Sequence, residues 1–135
     1  MRETPKDVAR RFYLSLRESD LDETWERYVG PDAVWLAVGT PTRTAWLAGC
    51  RQLLQAFADF RIDVLTQVAE GNRVATRMRL SGTQTGVYHG IPPTGRRASA
   101  ICAAFDLIED GHIVEHWSHV DMDCFLRPSG SDVRR

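Results

Sequence analysis

Residues 96–121 read RRASAICAAFDLIEDGHIVEHWSHVD, two extended runs hinged at Asp110-Gly111. The first, about Arg96–Ile108, reads as a long strand, and Asp110-Gly111 turns it into a last strand, His112–Asp121. Their partners lie just upstream. Arg73–Thr83 alternates Val74, Thr76, Met78 and Leu80 against Arg73, Ala75, Arg77 and Arg79, the period of a half-buried strand. Before it, Glu70-Gly71-Asn72 is a tight turn, and Phe60–Ala69 places Phe60, Ile62, Val64, Thr66 and Val68 on one face. Between the second and third of these four strands, Gly82–Gly95 is a Gly/Pro-rich excursion, GTQTGVYHGIPPTG.

The N-terminal third has a different period. From Pro5 to about Ser19, Val8, Ala9, Phe12, Tyr13 and Leu16 recur at helical spacing, with Thr4 as N-cap and Pro5 in the first turn. Asp20 caps a second helix, Leu21–Val29, which Gly30-Pro31 should stop. Ala33–Val38 reads as a short strand, 39–48 as a loop, and Gly49–Asp59 as a third helix. Helices first and an antiparallel meander afterwards define an α+β fold, with helices on one face of a curved sheet. Strict alternation of strands and helices is missing from the second half, which excludes a doubly wound α/β sheet.

The 135 residues make one domain, 1–135, with 127–135 expected to be a disordered tail. The apolar share of 43% and charged share of 26% are those of a globular chain. No apolar run nears the about 20 residues that span a bilayer. The charged N-terminus is not a secretory leader, so a cytoplasmic location and no membrane partner are expected. A net charge of −1 gives no general attraction to nucleic acid. Three cysteines without a CxxC pair argue against disulfides and a cysteine zinc site.

Chemistry-bearing residues concentrate in the last strand. By alternation Ile113, Glu115, Trp117, His119 and Asp121 share one side. Were that side inward, Asp121 would stand at the end of an apolar cavity, where burial raises a carboxyl into the range of a general acid or base. His119 would hydrogen-bond substrate or relay a proton. Val114 and Val120 make the opposite face partly apolar too, so period alone leaves the inward face open. His116 and His119 differ in parity and cannot share a metal ion without distortion, so no metal is expected. Trp35 and Trp46 are candidate pocket walls, and Tyr88 and His89 candidate linings from the 82–95 excursion.

Together these segments resemble a known family. Gly71-Asn72-Arg73-Val74-Ala75-Thr76-Arg77, Gly82-Thr83-Gln84-Thr85-Gly86, Gly90-Ile91-Pro92-Pro93-Thr94-Gly95-Arg96 and Asp110-Gly111-His112-Ile113-Val114-Glu115-His116-Trp117, ending in Asp121, are similar to the SnoaL-like polyketide cyclases of the NTF2-like superfamily. The resemblance implies a cone-shaped α+β barrel, a small hydrophobic polycyclic substrate, and a cofactor-independent aldol-type ring closure. It implies Asp121 as the acid and base. Beside it, His119 is the expected donor to an oxyanion, and Trp35, Trp46, Gln84, Tyr88, His89 and Trp117 are the expected substrate-binding residues. The resemblance also implies a homodimer or tetramer. A non-catalytic binding protein, an epoxide hydrolase or a hydroxylase of the same fold are the alternatives. Gln84 stands where the family often has His. The Arg-x-Asp spacing that an epoxide hydrolase needs occurs only at Arg61-Ile62-Asp63, one strand too early.

Overall fold

The structure is a computed structural model that describes residues 3–17 and 20–121. Helix α1, Pro5–Leu14, starts from a capping box: the Thr4 hydroxyl accepts from the Asp7 amide, and the Asp7 carboxylate accepts from that of Thr4. It is shorter than its apolar pattern suggests, because a 3₁₀ turn, Ser15–Arg17, takes over. Helix α2, Leu21–Tyr28, opens on the expected Asp20 cap. Gly30-Pro31 does not interrupt the chain. Strand β1, Val29–Ala37, runs directly on from α2 through both residues. It is an edge strand, where a proline's missing N–H costs no ladder bond, and its register with the neighbour shifts between Val29 and Val34.

Helix α3 spans Arg43–Ala56, starting six residues before the expected Gly49 and ending before Asp59. The Thr42 hydroxyl caps it by accepting from Ala45, so Trp46 lies on a helix and not in a loop. The meander follows as β2 (Phe57–Glu70), β3 (Arg73–Gln84), β4 (Arg97–Glu109) and β5 (His112–Val120). The sheet order is β1-β5-β4-β3-β2, with all neighbours antiparallel except β1 and β5. This is the α+β architecture expected, three helices against one face of a five-stranded sheet. The expected tail, 127–135, lies outside the described residues.

The decisive irregularity is in β5. Ile108 is opposite Ile113, but Leu107 is opposite Glu115, so one step on β4 spans two on β5. That bulge at Val114 changes parity along the strand. Ile113 is inward and fully buried; beyond the bulge His116 is fully buried too, and Ser118 is buried on the same side. Glu115, Trp117, His119 and Asp121 are thereby turned to the other side. The expectation that Asp121 and His119 face a buried cavity is corrected here: both are exposed. Trp117 is on the outer face as well, stacked on Phe105 at 5.4 Å between ring centroids.

The core between sheet and helices contains Val8, Phe12, Leu47, Phe57, Met78 and Ile113, all nearly inaccessible. β2 contributes Phe60 and Ile62 to it. A second register shift between Val64 and Thr66 takes Thr66 and Val68 out of the core, so the expected five-residue apolar face ends early. Gly82 marks the tightest backbone approach. A Cβ there would stand 2.8 Å from the Phe57 Cβ and 3.3 Å from both the Ala58 carbonyl oxygen and the Phe60 Cα. Two of those three atoms are backbone and cannot step aside. Gly82→Ala should therefore lower stability by about 1–3 kcal/mol. Denaturant titration checks this, and an unchanged midpoint would mean that the β2–β3 crossing has slack.

Candidate functional site

A cavity of about 320 Å³ lies between the inner sheet face and the helices. Tyr13 reaches it from α1, Trp46 from α3, Met78 from β3, Cys102 from β4, His116 from β5 and Tyr88 from the 85–96 loop. Its volume is at the lower end of the range for small-molecule sites. Most of its wall is apolar, with Leu16, Phe60, Ile62, Leu80 and Val120 among the lining.

The polar groups are gathered at one place. Asp106, 2% exposed, is paired across β4–β5 with His116, which has no exposure at all. The imidazole Nδ1 is 2.7 Å from Asp106 Oδ1. The other carboxylate oxygen accepts from the Tyr13 hydroxyl at 2.5 Å, and that hydroxyl is 3.3 Å from the same Nδ1. On the far side of the ring, Nε2 is 2.7 Å from the Ser118 hydroxyl. A carboxylate accepts only, so the pattern puts a proton on Nδ1; in the neutral ring Nε2 then offers its lone pair to the Ser118 O–H. Trp35 packs face to face on the imidazole, 4.0 Å between centroids and 14° between planes. The ring is thus held in plane by an indole and in tautomer by a carboxylate.

Burial, together with the adjacent Asp106 charge, pushes the Tyr13 phenol well above its ordinary 10.0. Tyr13 therefore stays protonated and remains a donor to Asp106. Burial also holds the Cys50 and Cys102 thiols at about 12, and the Tyr88 phenol at about 12. Neither thiol on the cavity wall is a thiolate nucleophile at neutral pH. Among the described residues, no three His, Cys, Asp or Glu side chains gather as a metal site.

The sequence-derived candidates fall into three groups. Trp46, Tyr88 and His89 do line the cavity. Trp35 does not line it, but backs the imidazole. Gln84 is buried beneath the 85–96 loop and outside the cavity wall. Its amide nitrogen lies 3.1–3.2 Å from the carbonyls of Gly86, Ile91 and Pro92, and its amide oxygen accepts from Thr94. Its observed contacts are those of a loop clamp. Trp117, His119 and Asp121 are on the outer side of β5. Arg61 and Asp63 bind each other at 2.7 Å, and neither lines the cavity, whereas Ile62 between them does.

Four residues of the polar cluster escaped the sequence reading: Tyr13, Asp106, His116 and Ser118. Asp106 left a signal. It falls on the row Ala100, Cys102, Ala104, Asp106, Ile108, and a carboxylate on an otherwise apolar row requires a buried partner. His116 and Ser118 left none, because nothing in the sequence announces the Val114 bulge.

A five-stranded curved sheet, three helices on its inner face and an apolar cavity with a polar floor define an NTF2-like α+β protein. A family model of SnoaL-like polyketide cyclases matches residues 7–127, and the chain belongs to that family. Similar solved structures include IdmH from Streptomyces antibioticus, described as a candidate polyketide cyclase, at 32% identity and TM-score 0.81, covering 92% of this chain and 96% of that one. AclR from Streptomyces galilaeus, described as a candidate hydroxylase, is 27% identical with TM-score 0.79, covering 90% and 92%. A SnoaL-like protein from Jannaschia sp. at 17% identity and TM-score 0.77, covering 96% and 93%, shares the fold. A search of curated proteins found no match. Among the described residues, no helix is long and apolar enough to cross a membrane.

The four raised groups make alkaline stability a test of this site. Each binds its proton more tightly in the folded chain than in the unfolded one. Their stabilisation is whole below pH 9, where both states are protonated. As pH rises past 9.0 for the thiols and 10.0 for the phenols, the unfolded chain loses protons first and stability falls. The denaturation midpoint should drop between pH 9 and 12. In a Cys50→Ala/Cys102→Ala variant the part of the decline that begins near pH 9 should flatten; an unaltered slope would place the thiols in water.

Proposed function

We propose that the protein is a cofactor-independent cyclase or isomerase acting on a polyketide-like, polycyclic carbonyl compound, with His116 as its acid and base. One observation supports this above all: an imidazole aligned by a buried carboxylate at the floor of an apolar cavity. In an aldol-type closure, Nε2 takes a proton from the carbon α to a carbonyl. The resulting enolate carbon attacks a second carbonyl of the same molecule, and the imidazolium returns its proton to the new alkoxide. The Trp35 ring against the imidazole favours the cationic state that forms between these steps. Apolar walls hold the two carbons in contact and keep water from the enolate. Asp106 and Tyr13 act through His116 as positioning residues.

This reading moves the catalytic role from Asp121 and His119 to His116, because only His116 meets the cavity. The hydroxylase description of AclR supplies a second reading, oxygenation of the same class of compound in the same cavity.

With an aromatic 1,3-dicarbonyl compound as substrate, His116→Gln should lower kcat about 10²–10⁴-fold. Asp106→Asn should lower kcat while KM changes little, since the carboxylate touches no substrate. Titration with an anthraquinone should quench tryptophan emission through Trp46 and Trp35. Full turnover in His116→Gln would exclude this assignment.

We also propose a homodimer through the outer sheet face. Leu36, Trp117 and Phe105 are register partners across β1, β5 and β4, and form one exposed apolar row. Light scattering should give twice the chain mass, and Phe105→Glu should return a monomer; a wild-type monomer at micromolar concentration overturns it.

A further inference from the structure

Acid–base cyclisation makes no use of the Ser118 hydroxyl, which has a specific place in the cluster. Carboxylate, imidazole and hydroxyl are joined in series at 2.7 Å and 2.7 Å, the carboxylate on Nδ1 and the hydroxyl on Nε2. That polarity is the one in which an imidazole withdraws a hydroxyl proton while a carboxylate steadies the charge it gains. Ser118 is buried yet lines the cavity. Strand geometry fixes the pair: His116 and Ser118 are two apart on one face of β5, and Asp106 is directly across on β4.

We propose that Ser118 is a nucleophile, and that the cavity cleaves aryl and short alkyl esters through an acyl-serine intermediate. Ser118 Oγ attacks the ester carbonyl as its proton passes to His116 Nε2. The tetrahedral intermediate collapses with breakage of the carbonyl–alkoxy bond, and the imidazolium gives the proton to the departing alcohol. Water, deprotonated in turn by Nε2, then releases the acid and restores the serine. No redox partner is needed, and water is the sole co-reactant.

Donors for the developing oxyanion would come from the turn after β1. Ala37 is the register partner of Ser118, and the Ala37–Thr40 turn, closed by the Thr40 N–H to the Ala37 carbonyl, adds Gly39 and Thr40 to the cavity wall. The Gly39 amide and the Thr40 hydroxyl are the donors that this turn offers.

The proposal rests on the reading of this cavity as a substrate site, but not on ring closure. Its test is covalent capture. The full chain is treated with an alkyl fluorophosphonate, and the product is read by intact mass and by fragmentation of the tryptic peptide 98–134, the Arg127–Pro128 bond being uncut. That peptide contains four serines, Ser99, Ser118, Ser129 and Ser131. One phosphonyl group per chain is expected, located at Ser118. The adduct should be absent from Ser118→Ala, and should form about 100-fold more slowly or less in Asp106→Asn. Thermal unfolding of each variant is recorded beside it, so that a collapsed fold is recognised. A p-nitrophenyl ester should give a burst of one equivalent of nitrophenol in wild type. No adduct in wild type that still shows anthraquinone quenching overturns the nucleophile and leaves the cavity reading intact. No adduct and no quenching overturns both, and an adduct at Ser99, Ser129 or Ser131 overturns the nucleophile alone.

Discussion

A carboxylate at 2% exposure among apolar side chains is the constraint around which the inner half of this molecule is arranged. Unpaired, such a group costs several kcal/mol; paired and fully hydrogen-bonded, it becomes tolerable and rigid. Both oxygens of Asp106 are engaged, one by Tyr13 from α1 and one by His116 from β5. The three elements are therefore tied through one side chain. The tie sets how far α1 stands from the sheet and which way the imidazole faces. Removing Asp106 would leave two buried donors without their acceptor, and the functional geometry and the packing would fail together.

The aromatic residues complete that arrangement. Trp35 lies on the imidazole, and Phe12, Trp25 and Trp46 pack around Trp35 edge-on or tilted. These rings come from α1, α2, α3 and β1, so the wall behind His116 is drawn from every helix. At the cavity mouth the 85–96 loop is fixed from below, by the Gln84 amide and by the paired backbone bonds between Tyr88 and Ile91. A loop rich in Gly and Pro thus holds a defined shape without regular secondary structure.

The class of fold was legible because it rests on periodicity, which is local. The alternation in Arg73–Thr83, the turns at Gly71 and Gly111 and the cap at Asp20 all survive in three dimensions. What failed were boundaries and parity. Pro31 looked like a stop because the sequence does not say that β1 is an edge strand. Helix α3 began early because Thr42 is a better cap than Gly49, although Gly39 and Pro41 made the segment read as a loop. The largest miss was in β5, where strict alternation put Ile113 and Asp121 on one face. Side-chain parity is preserved only while the ladder is unbroken, and one extra residue inverts everything beyond it. The polar cluster was missed for that reason, while Asp106, on the unbroken strand β4, was open to deduction.

The bulge has a meaning of its own. Past Val114, β5 is written twice over: His116 and Ser118 on one side, Glu115, His119 and Asp121 on the other. Each set contains an imidazole and an oxygen-bearing partner. Excision of Val114 would join Ile113 directly to Glu115 and leave the pairs Ile108–Ile113, Leu107–Glu115 and Asp106–His116 as consecutive rungs of an unbroken ladder, with His116 and Ser118 still inward. A strand eight residues long in place of nine would then present the same inner face, and its sequence would read with the parity that its side chains have.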